Sequence, residues 1–174
     1  MKTSIVYHYD AFSNEPNKGN PAGVVLDADE LSEADMQAIA YKVGFNETVF
    51  VMRSEKADLR LRYFTPGHEI KLCGHATLAA LFCLKTRGLL GDASAVHIET
   101  NVGVLPIAFM ECADGDKSLL IKMKQDSPQF VAIDGDKESL MSADGAKCRG
   151  SGRGSANFVG LYRSMDPAGS DQAT

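Results

Sequence analysis

The sequence predicts an α+β fold in which a curved, mostly antiparallel sheet wraps around a buried central helix. Two observations carry this. Strand-like segments outnumber helical ones and follow one another in runs, rather than alternating with helices. The stretch from Gly74 to Arg87 holds Ala76, Leu78, Ala79, Ala80, Leu81, Phe82, Cys83 and Leu84. These cover every side of a helical wheel, and a helix apolar all round must be surrounded.

The elements follow in order. Ile5 to Phe12 alternates apolar and polar residues and is rich in aromatics, which reads as a strand leaving through the turn-rich stretch Ser13 to Pro21. Ala22 to Leu26 returns as a second strand. Asp29 or Ser32 can cap a helix whose apolar residues Met36, Ile39, Ala40 and Val43 recur at helical spacing, with Gly44 as its stop. Glu47 to Arg53 and Asp58 to Phe64 form two strands, and the short gap between them favours an antiparallel hairpin. After the apolar helix, strands are predicted at Ala95 to Thr100, Val104 to Met110 and Ser118 to Lys124. From Gly145 onward Gly, Ser, Arg, Ala and Asp dominate, with no apolar period and no strand run. The expected organisation is therefore a lobe over residues 1–142 and a low-complexity tail over 143–174.

Composition excludes several functions. The 174 residues, 44% hydrophobic and 24% charged, suit a soluble globular domain with one sizeable core. A net charge of -5 supplies no basic stripe to replace phosphate counterions, so nucleic acid is not the expected partner. The longest apolar stretch, Ala76 to Leu84, is well short of the ~20 residues of a bilayer span, and Met1 to Tyr9 lacks the apolar region of a signal peptide. Cys73, Cys83, Cys112 and Cys148 form no CxxC pair and meet no histidine at metal-ligand spacing. Free thiols in a reducing cytoplasm, with no metal, are expected.

Candidate chemistry begins where Cys73, Gly74 and His75 open the apolar helix. Free backbone N–H groups and the positive end of the helix dipole favour an anion there, a substrate carboxylate or a thiolate. His75 adds the side chain that exchanges protons near neutral pH. The plainer alternative is a tight turn at Gly74, a capping His75 and a space-filling Cys73. Glu47 shares a strand face with Val49 and Val51. It is either a general acid or base partly withdrawn from water, or a solvated strand end. Asn20, Pro21 and Gly23 make a rigid turn that could line a pocket, while Asp10 reads as a turn former. Arg60 and Arg62 alternate with Leu59, Leu61 and Tyr63, which reads as a solvent-facing side of a strand.

Five blocks then occur in order: Asp10-Ala11-Phe12; Gly19-Asn20-Pro21-Ala22-Gly23-Val24; Asn46-Glu47-Thr48-Val49-Phe50-Val51; Arg62-Tyr63-Phe64-Thr65-Pro66; and Cys73-Gly74-His75-Ala76-Thr77-Leu78-Ala79. Together, over roughly Ser4 to Phe130, they resemble the N-terminal half of the phenazine-biosynthesis-like (PhzF) family. The resemblance implies one lobe of a diaminopimelate-epimerase-like fold and an isomerase that uses no cofactor. It also implies roles: Glu47 as the acid/base carboxylate, and His75 orienting or protonating a small carboxylate substrate. Asn20 and the region of Gly74 would hold that carboxylate. Cys73 stands where related epimerases and racemases carry a thiol base, and its role here stays open.

A second lobe is expected to follow in this family. Codons compatible with Cys148 to Ala173, read one nucleotide downstream, allow the family's continuation. A frame change between Ser142 and Cys148 is therefore expected, with proton transfer impaired if half of the cleft is lost. The alternative is a non-catalytic lobe that self-associates, as a homodimer, through exposed sheet edges.

Overall fold

The computed structural model describes residues 4–13, 15, 17–111, 119–124 and 158–162. The expected lobe boundary at 142/143 and the expected frame change lie outside these residues.

The described chain forms nine strands in a single sheet and two α-helices, with a 3-10 turn at Ala28–Glu30. The strands are β1 (Val6–Ala11), β2 (Asn20–Val25), β3 (Glu47–Met52), β4 (Leu59–Phe64), β5 (Glu69–Ile70), β6 (Ala95–Thr100), β7 (Gly103–Glu111), β8 (Leu119–Met123) and β9 (Phe158–Tyr162). The helices are α1 (Glu33–Val43) and α2 (Gly74–Thr86). Sheet order is β1-β2-β3-β4-β6-β7-β8-β9, with β5 paired beside β4. The β2–β3 and β4–β6 pairs are parallel and the other pairs antiparallel. The fold is the expected α+β arrangement.

The sheet curls because both of its ends reach one helix: α2 lies against β1, β2 and β3 on one side and against β8 on the other. Its residues Ala76 to Leu84 are all buried. Val24, Val49, Val51, Leu61, Tyr63, Ile98, Ile107 and Ile121 pack around them in one core. Burying a single leucine such as Leu78 or Leu81 contributes about 1.5–3 kcal/mol, so this helix fixes the position of whatever stands at its ends.

Strand parity puts the alternate residues on the other face. There Val25, Phe50 and Phe64 meet Met36 and Ala40 of α1 in a second core. The start of α1 is set by Ser32, whose hydroxyl accepts the Asp35 N–H while the Asp35 carboxylate accepts the Ser32 N–H. Gly44 closes it at φ 71°. Gly23 serves close packing between β2 and β3: a Cβ there would lie 2.9 Å from Thr48 Oγ1. Asp10 accepts the Asn17 N–H at 2.5 Å, in the expected turn role.

Three details differ from the sequence reading. Arg62 is not solvent-facing: its side chain is 15% exposed and held by carboxylates of α1 and β5. The two-residue strand β5 is too short to leave an alternating pattern. The tail contains a strand, β9, antiparallel to β8 from Phe158 opposite Met123 to Tyr162 opposite Leu119. Its five residues FVGLY have strand-favouring types, but they stand alone behind a Gly/Ser/Arg run.

Candidate active site

The first residue of β3 and the first residues of α2 meet. Glu47 is paired with Ala22 of β2 and shares the face of Val49, which packs on α2. That parity aims its carboxylate at the N-terminal end of the helix. His75, in the first turn of α2, brings Nε2 to 3.1 Å from Glu47 Oε2. The two side chains are 11% and 19% exposed respectively. Both facing atoms are buried, yet neither makes an aligned hydrogen bond among the described residues. A charged or polar atom in this state is costly, by about 1–3 kcal/mol, unless something later satisfies it.

Cys73 completes the cluster. Its sulfur lies 3.2 Å from His75 Nδ1, on the opposite edge of the ring from Glu47. Burial pushes its thiol up to about 11; the N–H groups of Ala76 and His75 oppose this and the charge on Glu47 adds to it. The resting sulfur is therefore a thiol.

The backbone that carries these groups is pinned from inside. Thr77 donates its hydroxyl to the Cys73 carbonyl at 2.7 Å, and its N–H reaches the same oxygen at 3.0 Å. With that hydroxyl proton committed, Tyr63 must be the donor in its 2.7 Å contact with Thr77 Oγ1. Tyr63 is fully buried, and burial raises its phenol well above the ordinary tyrosine range, so it stays protonated. Sequence reasoning missed both residues. The available signal was a polar-tipped aromatic on the inward face of a strand and a threonine one turn into an otherwise apolar helix.

The structure thus brings together Glu47, Cys73 and His75, with Gly74 as the first residue of α2. Asn20 begins β2, half-buried, on the same sheet face as Ala22 and Glu47; no hydrogen bond joins it to the trio among the described residues. The ligand atoms of the trio lie within 4.8 Å of one another, a donor set that suits a transition-metal ion. However, the imidazole turns one nitrogen to the sulfur and the other to the carboxylate. That is the layout of a proton path through the ring, and one ion could be shared only if the ring turned. No helix among the described residues is long and apolar enough to cross a membrane.

Comparison with known proteins gives the family. A family model described as phenazine biosynthesis-like protein matches residues 9–156. The chain is 48% identical over 145 residues to the uncharacterized isomerase YfhB of Bacillus subtilis, covering 83% of this chain and 48% of that protein. It is 35% identical over 155 residues to the trans-2,3-dihydro-3-hydroxyanthranilate isomerase of Pseudomonas aeruginosa, covering 88% of this chain and 51% of the relative. The crystal structure of a PhzF-family protein from Bacillus anthracis superposes with a TM-score of 0.74 at 55% identity, over 82% of this chain and 47% of that one. Solved epimerases below 25% identity share the fold alone. The chain spans about half the length of the relatives it matches. With a match over most of its length and five sequence blocks in register with its secondary structure, this chain belongs to the phenazine biosynthesis-like protein family.

Proposed function

We propose that Glu47 and His75 form the proton-transfer centre of an isomerase that acts on a small carboxylate metabolite through side chains alone. The observation that supports this reading is the 3.1 Å approach of two buried atoms, Glu47 Oε2 and His75 Nε2, that lack aligned partners. A substrate bound beside the pair would give each atom a partner.

In this reading Glu47 takes a proton from a carbon acid, and the C–H electron pair moves into the conjugated system towards an electron-withdrawing carboxylate or carbonyl. His75 donates from Nε2 to the oxygen where charge develops. The positive end of the α2 dipole lies at the same region and favours the same charge. The protonated carboxyl of Glu47 then returns the proton to a different carbon, which forms a new C–H bond and shifts the double bond. Asn20 and Gly74 would hold the substrate carboxylate. A proton-transfer group in position contributes about 10²–10⁴-fold.

The test is deuterium exchange from solvent into dihydroaromatic acids, with the dihydro-hydroxyanthranilate of the Pseudomonas relative as the first probe, followed by amino acids. Exchange that depends on Glu47 is expected; exchange undiminished in Glu47→Gln would end the assignment.

A second reading is self-association into a homodimer, either alongside catalysis or in place of it. The observations that favour it are the position of β1 at the end of the sheet among the described residues and the exposed side chains Val102, Val104 and Met110 on and beside β7. Light scattering coupled to size exclusion tests it, and a monomer at all concentrations would remove it. The free thiols Cys73 and Cys83 accord with a cytoplasmic location.

A further inference from the structure

We infer that Cys73 is a positioning residue: its thiol donates to His75 Nδ1 and so fixes the ring in the form that presents Nε2–H towards Glu47. This rests on the assignment of Glu47 and His75 above, and it defines what their shared site offers a substrate.

The argument runs from one end of the cluster to the other. A carboxylate oxygen turns lone pairs outward, which would repel a bare ring nitrogen 3.1 Å away, so the nitrogen facing Glu47 Oε2 carries the hydrogen although the two atoms are not aligned as a hydrogen bond. A neutral imidazole has one N–H, so Nδ1 then presents a lone pair. The atom 3.2 Å from Nδ1 is the Cys73 sulfur, which must donate. Burial holds that sulfur as a thiol up to about pH 11, so the proton is there to give. A thiolate would demand the opposite arrangement, with Nδ1–H towards sulfur and the bare Nε2 facing the carboxylate, lone pair against lone pair. The sulfur is also held in place. Cys73 is 9% exposed, and its carbonyl is gripped by Thr77, which is gripped in turn by Tyr63.

The consequence concerns substrate class. Glu47 and His75 Nε2 make a fixed acceptor and a fixed donor side by side. That pair matches a carbon acid whose acidic C–H lies next to an oxygen that gains charge. Cys73 itself exchanges no proton with carbon, so the centre has one acid/base group and not two opposed ones.

The experiment observes the ring directly, in the full chain labelled with ¹⁵N-histidine, by two-bond ¹H–¹⁵N correlation at neutral pH. His75 is identified by the signals lost in His75→Gln. The expected pattern is a protonated Nε2 and a hydrogen-bonded, unprotonated Nδ1. In Cys73→Ala the Nδ1 signal should move to that of an unbonded nitrogen, and in Cys73→Ser, which keeps a donor, it should return. In exchange assays Cys73→Ala should lower kcat about fivefold, the loss of one neutral hydrogen bond, with KM little changed and Ser restoring most of the rate. A protonated Nδ1 or an imidazolium in the unsubstituted chain overturns the inference without any variant having to fold. So does a Ser variant as inactive as Ala, the behaviour of a thiol that itself moves the substrate proton. If Glu47→Gln leaves exchange intact while the Nε2–H pattern stands, the proposed function fails and the positioning role survives. The reverse result sinks the positioning role alone.

Discussion

Two groupings of a carboxylate with a nitrogen-bearing side chain stand on opposite faces of the same sheet, and they are built in opposite ways. On the α1 face, Arg62 donates from Nε and Nη2 to the two carboxylate oxygens of Glu69, each at 2.7 Å, and from Nη2 to Glu33 at 2.8 Å. Glu69 also accepts from the Asn101 side chain at 2.9 Å. The hydrogen bonds from Arg62 hold its carboxyl below the ordinary carboxylate range, and burial only partly opposes them. On the α2 face, Glu47 and His75 approach to 3.1 Å, a little farther than the Arg62 contacts, and their facing atoms are buried without aligned bonds. The first grouping closes upon itself and braces β4, β5 and α1. The second is incomplete without a third party. A fold that keeps two such atoms out of water gives up stability there, which is what the proposed proton-transfer centre calls for.

The largest expected effect tests this contrast head-on. Glu47→Gln keeps the shape and removes the base, so exchange should fall on the order of 10³-fold. Thermal stability should stay level or rise, because a buried, unsatisfied carboxylate oxygen has become a neutral amide. Calorimetry beside the exchange assay decides it, and a loss of several kcal/mol in stability would mean that Glu47 is a brace like Glu69.

Next comes the platform. Leu81→Ala removes a fully buried side chain from α2 and should cost about 2–5 kcal/mol in denaturant unfolding. The same change at the exposed Leu89, just past the helix, should cost less than about 0.5 kcal/mol. Equal costs at the two positions would show that α2 is not the fixed axis on which the site depends.

Tyr63→Phe sharpens the comparison further, since it breaks a satisfied network that supports an unsatisfied one. Losing the hydroxyl that donates to Thr77 should cost about 1–3 kcal/mol. It should also lower kcat more than it raises KM, because the Cys73 carbonyl loses its indirect anchor. Unchanged kinetics with lowered stability would confine Tyr63 to the core.

How much of this was legible beforehand varies by kind. The buried helix was plain, since nothing but enclosure explains nine consecutive positions from Ala76 to Leu84 with no polar stripe. Local chemistry narrowed the cap of α1 to Asp29 or Ser32 and gave the Gly44 stop; the structure places the cap at Ser32. Strands β5 and β9 were not, being too short or too isolated for alternation to register. The site was legible only in pieces. Glu47 and His75 are 28 positions apart, and no local pattern states that the start of a strand and the start of a helix will touch. What joined them was the order of five blocks. Arg62 was misread because alternation with Leu61 and Tyr63 tells which residues share a face, whereas only tertiary structure tells that α1 covers the other one. Tyr63 was hidden for a related reason: an inward aromatic looks like packing until its hydroxyl is seen to find Thr77.

The smallest effect belongs to the brace. Glu69→Gln keeps hydrogen-bonding atoms beside Arg62, which Glu33 still partners, and removes one charge, so at neutral pH it should cost about 1 kcal/mol, the difference between a charged and a neutral hydrogen bond. Its pH dependence is more telling. Because the folded state lowers the Glu69 carboxyl, the pair's contribution is present above the ordinary carboxylate range and is lost as pH falls through the lowered value. The difference in stability between the parent chain and Glu69→Gln should therefore shrink on acidification, and exchange activity at neutral pH should not change. A fall in activity as large as that of Glu47→Gln would mean that the two faces of the sheet are coupled, and that a self-satisfied brace on one side also shapes the open site on the other.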